Sequence, residues 1–270
     1  MLLGQHFLVN QKIANRIVEN LQLNNSDIVL EIGPGKGIIT ERIVDKVAKL
    51  ILVEIDKNLC NFLMNKFKIS KNVEIVNTNF LQYDLTKLSF GRKIKIVGNI
   101  PYAITSEILS KLYSVAFSCW ELCILMVQKE VAEKLIAKPK DKMFSKLTLK
   151  TNFYTIPKLL FKVDKSYFKP QPKVTSAVVK LIPNNNFINY PYEHLLLKIL
   201  DTVFTYKRKY LVNSLILGLN LDKNLNKEEI EKLVINSGIK LNERAEDVDI
   251  SKYTKLVEKL SFFINQSTSC

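Results

Sequence analysis

Side chains that bind metals or cross-link chains are scarce: 270 residues hold 2 His and 4 Cys. They fall into no metal-ligand spacing, so no metal site is expected. Cys119 and Cys123 are four apart, but they flank a predicted strand, Trp120 to Val127, with no His nearby. Reduced structural thiols and a cytoplasmic protein are the expectation, with the terminal Cys270 exposed. No apolar run approaches 18 residues, which argues against a membrane span. The chain does not open on a charged segment followed by an apolar core, so a secretory leader is not expected either. Internal repeats and low-complexity tracts are missing, as is any dimerisation signal, and a monomer is expected. Acidic residues are in the minority, 26 against 40 Lys and Arg, for a net charge of +14. That excess favours a polyanionic partner, although the richness in Lys, Asn and Ile points to an AT-rich genome that accounts for part of it.

Glycine is sparse too, yet three of the 8 lie in one run, Gly33-Pro34-Gly35-Lys36-Gly37. The run follows an apolar β-branched segment, Ile28 to Ile32, and precedes a helical pattern with Ile39, Ile43 and Val47 spaced by four. Strand, glycine turn, helix is the context of a nucleotide-type fold. The spacing G-x-G-x-G departs from the pyrophosphate loop, and no Lys-Ser/Thr follows to hold phosphates. A second strand, Leu50 to Val53, ends in Glu54-Ile55-Asp56, about 20 residues on, where a carboxylate takes ribose hydroxyls. A third, Val73 to Val76, leads to Asn79-Phe80, an amide and an aromatic suited to an adenine edge. These features point to a nucleoside cofactor without a phosphate chain, and S-adenosylmethionine fits best.

After a buried-strand pattern, Ile94 to Val97, comes Asn99-Ile100-Pro101-Tyr102. The Asn99 amide oxygen can accept from an exocyclic amine. The residue before Pro101 is pushed out of the helical region, which turns its carbonyl outward. Tyr102 offers a face on which a base stacks. The target so suggested is the N6 amine of adenine.

Strands and helices alternate from Ile28 onward, which predicts a parallel sheet flanked by helices. An amphipathic helix is expected over Asn10 to Leu21, and further helices over 38–48, 57–68, 105–116 and 129–138. Leu147 to Tyr154 and Thr175 to Ile182 read as two late strands. Between them lies a lysine-rich stretch ending in a stiff loop, Phe168 to Val174. Pro183 and the three asparagines after it mark a boundary. Helices are then expected over 192–205, 208–218, 227–236 and 251–264. The expected architecture is thus an α/β Rossmann-like domain over 1–183 and a small all-helical domain over 184–270. Tyr206-Lys207-Arg208-Lys209-Tyr210, at a helix start, has the make-up of a phosphate-gripping element.

With these motifs in order, the chain resembles the ribosomal RNA adenine N6,N6-dimethyltransferases over essentially its whole length, and their small-subunit (16S) branch in particular. Gly4-Gln5-His6-Phe7-Leu8 resembles the family's N-terminal cofactor motif, Glu31 to Gly37 its glycine loop, and Glu54-Ile55-Asp56 its ribose acid. Met126 to Ala132 is similar to a stretch of the small-subunit branch. Phe168 to Ser176 resembles the late motif whose Phe faces the target base, and Phe204 to Leu215 the basic C-terminal helix. The resemblance implies a methyltransferase dimethylating two adjacent adenines in the 3′-terminal hairpin loop of 16S RNA, linked to late small-subunit assembly. It implies S-adenosylmethionine held by Gln5, His6, Leu8, Glu31, Gly33, Gly35, Gly37, Glu54, Ile55, Asn79, Phe80 and Asn99. Catalysis would fall to Asn99, Ile100, Pro101, Tyr102 and Phe168. In that scheme the Asn99 oxygen and a backbone carbonyl at Ile100 or Pro101 accept from the amine, and Tyr102 and Phe168 sandwich the base. RNA contact would fall to Lys173, Lys207, Arg208 and Lys209. The chain departs from the family pattern at His6 (for Asn), Asn79 (for Asp) and Lys207 (for Arg).

Overall fold

A computed structural model describes residues 6–88, 91–219 and 225–266; the expectations for Gln5 and Cys270 lie outside them. The chain divides into two compact units, one of residues 1–133 and 154–185, the other of 134–153 and 186–270. The expected boundary after 183 falls two residues short of the second crossing, and Lys134–Phe153 groups with the helical unit.

The first unit is built on β1 (Phe7–Leu8), α1 (Gln11–Asn20), β2 (Ile28–Ile32), α2 (Thr40–Ile43), β3 (Lys49–Glu54), α3 (Lys57–Lys66) and β4 (Val73–Asn77). It continues through β5 (Ile94–Asn99), α4 (Thr105–Tyr113), β6 (Trp120–Gln128) and the start of α5 (Lys129–Ile136). After α6 (Lys146–Tyr154) the chain returns as β7 (Thr155–Val163), β8 (Phe168–Lys169) and β9 (Ser176–Pro183). Seven strands form one sheet in the order β4-β3-β2-β5-β6-β9-β7. The first five are parallel; β9 runs antiparallel to β6 and β7. β1 and β8 make a separate antiparallel pair, Phe7 opposite Lys169 and Leu8 opposite Phe168.

The β-branched and leucine runs become central strands because both faces are covered. Val29, Leu50, Leu52, Val97, Ile124 and Met126 meet Ile13, Ile17 and Leu21 of the first helix region in one core. Each such side chain contributes about 1.5–3 kcal/mol when fully buried. Lys95 interrupts the apolar run of β5, and its Nζ is held by Asp27 Oδ2 and the Gln22 carbonyl, both at 2.8 Å. The first helix starts where Asn10 accepts the Ile13 N–H, and α3 starts where Asp56 accepts the N–H groups of Asn58 and Leu59; each satisfies donors that a helix start leaves unpaired.

Two late stretches differ in type from their sequence reading, and the first is Thr155–Val163, read as part of a lysine-rich connection but folded as the strand β7. The second, Leu147–Tyr154, is not a strand but most of α6. Its alternation of Leu and Thr mimics a period of two. The threonine hydroxyls are consumed internally, Thr148 donating to the Lys134 carbonyl at 2.6 Å and Thr151 to the Leu147 carbonyl at 2.7 Å. Polar positions are thereby buried on a helix face. The predicted helix over 38–48 is also shorter, α2 passing into a 3-10 turn, Val44–Lys46.

The second unit adds α7 (Glu193–Thr205), α8 (Leu211–Leu219), α9 (Lys227–Asn236) and α10 (Ile250–Gln266). Leu196, Ile199 and Leu200 of α7 are fully buried, as are Leu256, Val257 and Leu260 of α10. The third helix of this group opens on a reciprocal cap between Asn226 and Glu229. No helix among the described residues is long and apolar enough to cross a membrane.

Candidate active site

The chain builds β2, β3 and β4 outward in one direction, then returns to lay β5 and β6 on the other side of β2. The order therefore reverses between β2 and β5, and ligands in such sheets bind beyond the strand ends at that reversal. A cleft of about 260 Å³ lies there. Gly33 and Gly35 line it from the turn after β2, Glu54 and Ile55 from the end of β3, and Thr78, Asn79 and Phe80 from beyond β4. Asn99 to Tyr102 close it from the end of β5, with His6 and Phe7 of the N-terminal segment across from them.

Each wall has a local cause. Gly33, Gly35 and Gly37 all have positive φ, +62°, +57° and +79°, a region glycine enters without penalty. At Gly35 a methyl group would also stand 2.9 Å from the Phe7 ring. Glu54 is 3% exposed, and its two carboxylate oxygens accept the N–H groups of Gly35 at 3.1 Å and Asp56 at 3.0 Å. Burial pushes its pKa up, and those backbone hydrogen bonds pull the other way. Asn79 caps the next turn, its Oδ1 accepting the Leu81 N–H at 2.9 Å.

Asn99 is oriented by a long-range contact. Its Nδ2 donates to the His6 carbonyl at 2.9 Å. The His6 ring is tied in turn, Nδ1 lying 2.8 Å from the Pro170 carbonyl. With the amide nitrogen committed, Oδ1 is left as the acceptor. The Pro101 carbonyl accepts from Thr105 Oγ1 at 3.2 Å and from the Ile104 N–H at 3.3 Å. Ile100 is buried to 1% and its N–H donates to the Met126 carbonyl at 3.0 Å, which pins the turn to β6. Tyr102 is half-buried, and burial raises its phenol pKa.

Several expected residues do not reach the cleft. Phe168 is the clearest correction: its side chain is 2% exposed and packs in the sheet core, because β8 pairs with β1 and turns the ring inward. It is not placed to sandwich a base. Leu8 is buried in the same core. Glu31 is buried beneath the glycine turn, where its Oε2 accepts from Thr40 Oγ1 at 2.7 Å. Gly37 packs against Leu63 and Phe67. Lys173 is exposed on the loop before β9, and Lys207, Arg208 and Lys209 are exposed in the turn between α7 and α8, a helix that starts at Leu211 and not at 208 as expected. In the other direction, the sequence reading passed over Thr78, Ile104 and Ile108, all of which line the cleft. Only their position beside motif residues marks them.

Among the cleft residues there is no Lys or Arg, and among the described residues no cluster of metal ligands. A cradle of glycine backbone, a buried carboxylate and apolar walls suits an uncharged nucleoside with a cationic centre, not a phosphate chain. Comparison with known proteins agrees. The family model of ribosomal RNA adenine dimethylase matches residues 2–262. The chain belongs to that family. A Mesomycoplasma hyopneumoniae (strain J) protein named ribosomal RNA small subunit methyltransferase A is 39% identical over 263 residues, 97% of this chain and 95% of its own. One of the same name from Fusobacterium nucleatum is 38% identical over 259 residues, 94% of this chain and 95% of its own. Among solved structures, a dimethyladenosine transferase from Plasmodium falciparum superposes with a TM-score of 0.84 at 26% identity, covering 95% of this chain and 98% of that one. The 23S rRNA methyltransferase ErmE superposes with a TM-score of 0.75 at 27% identity, covering 94% and 99%. Family membership and the Rossmann-like methyltransferase fold are thus established together.

Proposed function

We propose that the chain is an S-adenosylmethionine-dependent ribosomal RNA adenine N6,N6-dimethyltransferase acting on small-subunit RNA. The observation that carries this reading is the commitment of the Asn99 amide nitrogen to the His6 carbonyl, which leaves the amide oxygen of this cleft-lining residue as its acceptor. Small-subunit methyltransferases match along nearly the whole chain, which favours 16S RNA over the 23S substrate named for ErmE. The cytoplasm, a monomeric state and a link to late small-subunit assembly complete the reading.

When bound, S-adenosylmethionine supplies a methyl group activated by a sulfonium. Glu54 would hold the ribose hydroxyls, Asn79 and Phe80 the adenine edge, and the turn at Gly33 and Gly35 the nearby backbone. The lone pair on N6 of the target base is delocalised into its ring. Two acceptors on its hydrogens localise that pair. Asn99 Oδ1 is one; with the Pro101 carbonyl engaged by Thr105 and Ile104, the Ile100 carbonyl is the other. Extruding the base from its stack costs a few kcal/mol. Stacking on Tyr102 recovers about 1–3 kcal/mol of it. Positioning of this kind supplies most of the rate. Lys173, Lys207, Arg208 and Lys209 would meet phosphates.

Labelled methyl transfer to unmethylated small subunits, large-subunit RNA and duplex DNA tests this. Label in small subunits alone, recovered as N6,N6-dimethyladenine, is expected. Label confined to large-subunit RNA would overturn the choice of substrate, and none in any of the three the catalytic reading itself.

A further inference from the structure

Tyr102 opens a three-residue 3-10 turn, Tyr102–Ile104, whose backbone is tied by Thr105 Oγ1 to the Pro101 and Tyr102 carbonyls while the ring turns about its own side-chain bonds. Its phenol oxygen lies 2.7 Å from Ser176 Oγ. Ser176 has no exposed surface. Its backbone is fixed on both sides, opposite Gln128 of β6 and Val163 of β7. A hydroxyl at that depth requires a partner, and the phenol provides it. The rigid end of the bond is therefore the serine, and the movable end is the ring. Ser176 does for Tyr102 what the His6 carbonyl does for Asn99.

The chemistry proposed above treats the two methyl additions unequally. The primary amine of unmodified adenine presents two N–H groups to two acceptors. After one addition N6 keeps a single N–H, so one acceptor is idle and half of the hydrogen-bond positioning is gone. The stacking surface must then carry the orientation of the base. We propose that Ser176 is a positioning residue for the second methyl addition, locking the Tyr102 ring in the one orientation that presents a monomethylated amine. The proposal rests on the reading of the cleft as an adenine dimethyltransferase site.

Ser176→Ala and Tyr102→Phe remove the same bond from its two ends. Each is expected to slow the second addition about fivefold, the worth of one hydrogen bond, and the first addition less, so that N6-monomethyladenine accumulates. The double variant should be no slower than either single one. Equilibrium binding of S-adenosylmethionine should be unchanged. In ring-labelled tyrosine NMR, the Tyr102 signal (assigned by its loss in Tyr102→Phe) should move and sharpen in Ser176→Ala. Should Ser176→Ala fold poorly, Ser176→Cys fills the site with a slightly larger atom and weakens the bond. Equal slowing of both additions, or losses that add in the double variant, would overturn the proposal. A wild type that methylates no adenine would overturn the functional reading and this proposal with it. A wild type and Ser176→Ala that dimethylate alike would overturn this proposal alone.

Discussion

Asn99 and Glu31 show how one side chain's surroundings set its work. Asn99→Ala removes the acceptor without touching the glycine turn or Glu54. Loss of one such group typically costs about 10²–10³ in kcat. Transfer should fall by that order while S-adenosylmethionine binding, followed by calorimetry, stays near wild type; normal turnover would sink the assignment. Glu31 does not line the cleft, yet its carboxyl is pushed from its ordinary 4.5 up to about 7. Burial is the main cause, the Thr40 hydrogen bond opposes it, and the charge of Glu54 adds to it. An acid whose pKa rises on folding favours the folded state most where it is protonated in both states, below about 4.5. That contribution drains away as pH climbs to about 7 and is gone above, a swing on the order of 3 kcal/mol. Glu31→Gln keeps an acceptor for Thr40 and removes the titration. It should match the wild type at pH 4.5 and exceed its melting temperature at pH 8; a difference that ignores pH would refute the assignment.

At the scale of elements, the turn after β2 is the part least tolerant of an added atom. Gly35→Ala meets two costs, a left-handed backbone worth about 1–2 kcal/mol and a methyl group 2.9 Å from the Phe7 ring. Gly91 has φ +72° and nothing within 4 Å of an added methyl, so Gly91→Ala meets only the first. Denaturant titrations should show Gly35→Ala as the less stable of the two, and it alone should lose affinity for S-adenosylmethionine. Equal losses in both would show that Phe7 yields freely. The same scale explains what could be read from the sequence. The parallel strands were legible because strands buried on both faces are written as unbroken apolar runs, and the turns between them because glycine and Asp56 announce themselves. Lys146–Tyr154 was not, because threonine hydroxyls satisfied inside a helix leave an alternating pattern that imitates a strand. The order of the motifs showed where the cleft is. It did not show that Phe168 turns inward, since this follows from pairing with Leu8 across 160 residues, and no local pattern encodes such a partner. Nor did it show which carbonyl of the Asn99–Tyr102 turn is engaged, because that depends on Thr105 and Ile104 folding back onto Pro101.

For the molecule as a whole, the excess of 14 positive charges, part of it compositional, would favour the encounter with RNA. Replacing Lys207, Arg208 and Lys209 together with Gln removes three exposed cations from the second unit. The slope of log affinity against log salt should fall by about 2–3, with the rate at saturating RNA little changed; an unaltered slope would remove these residues from the interface. The tie of β1 to β8, with His6 held by Pro170, has a consequence for the life of the chain before it is finished. During translation the first residues leave the ribosome early and wait for partners that are made long afterwards. Until the stretch through Pro170 has emerged, Asn99 has no His6 carbonyl fixed in place beside it. A nascent or truncated chain ending before that point carries every motif of the cofactor cleft and lacks the brace on the Asn99 amide, so it is expected to transfer no methyl group until its first unit nears completion.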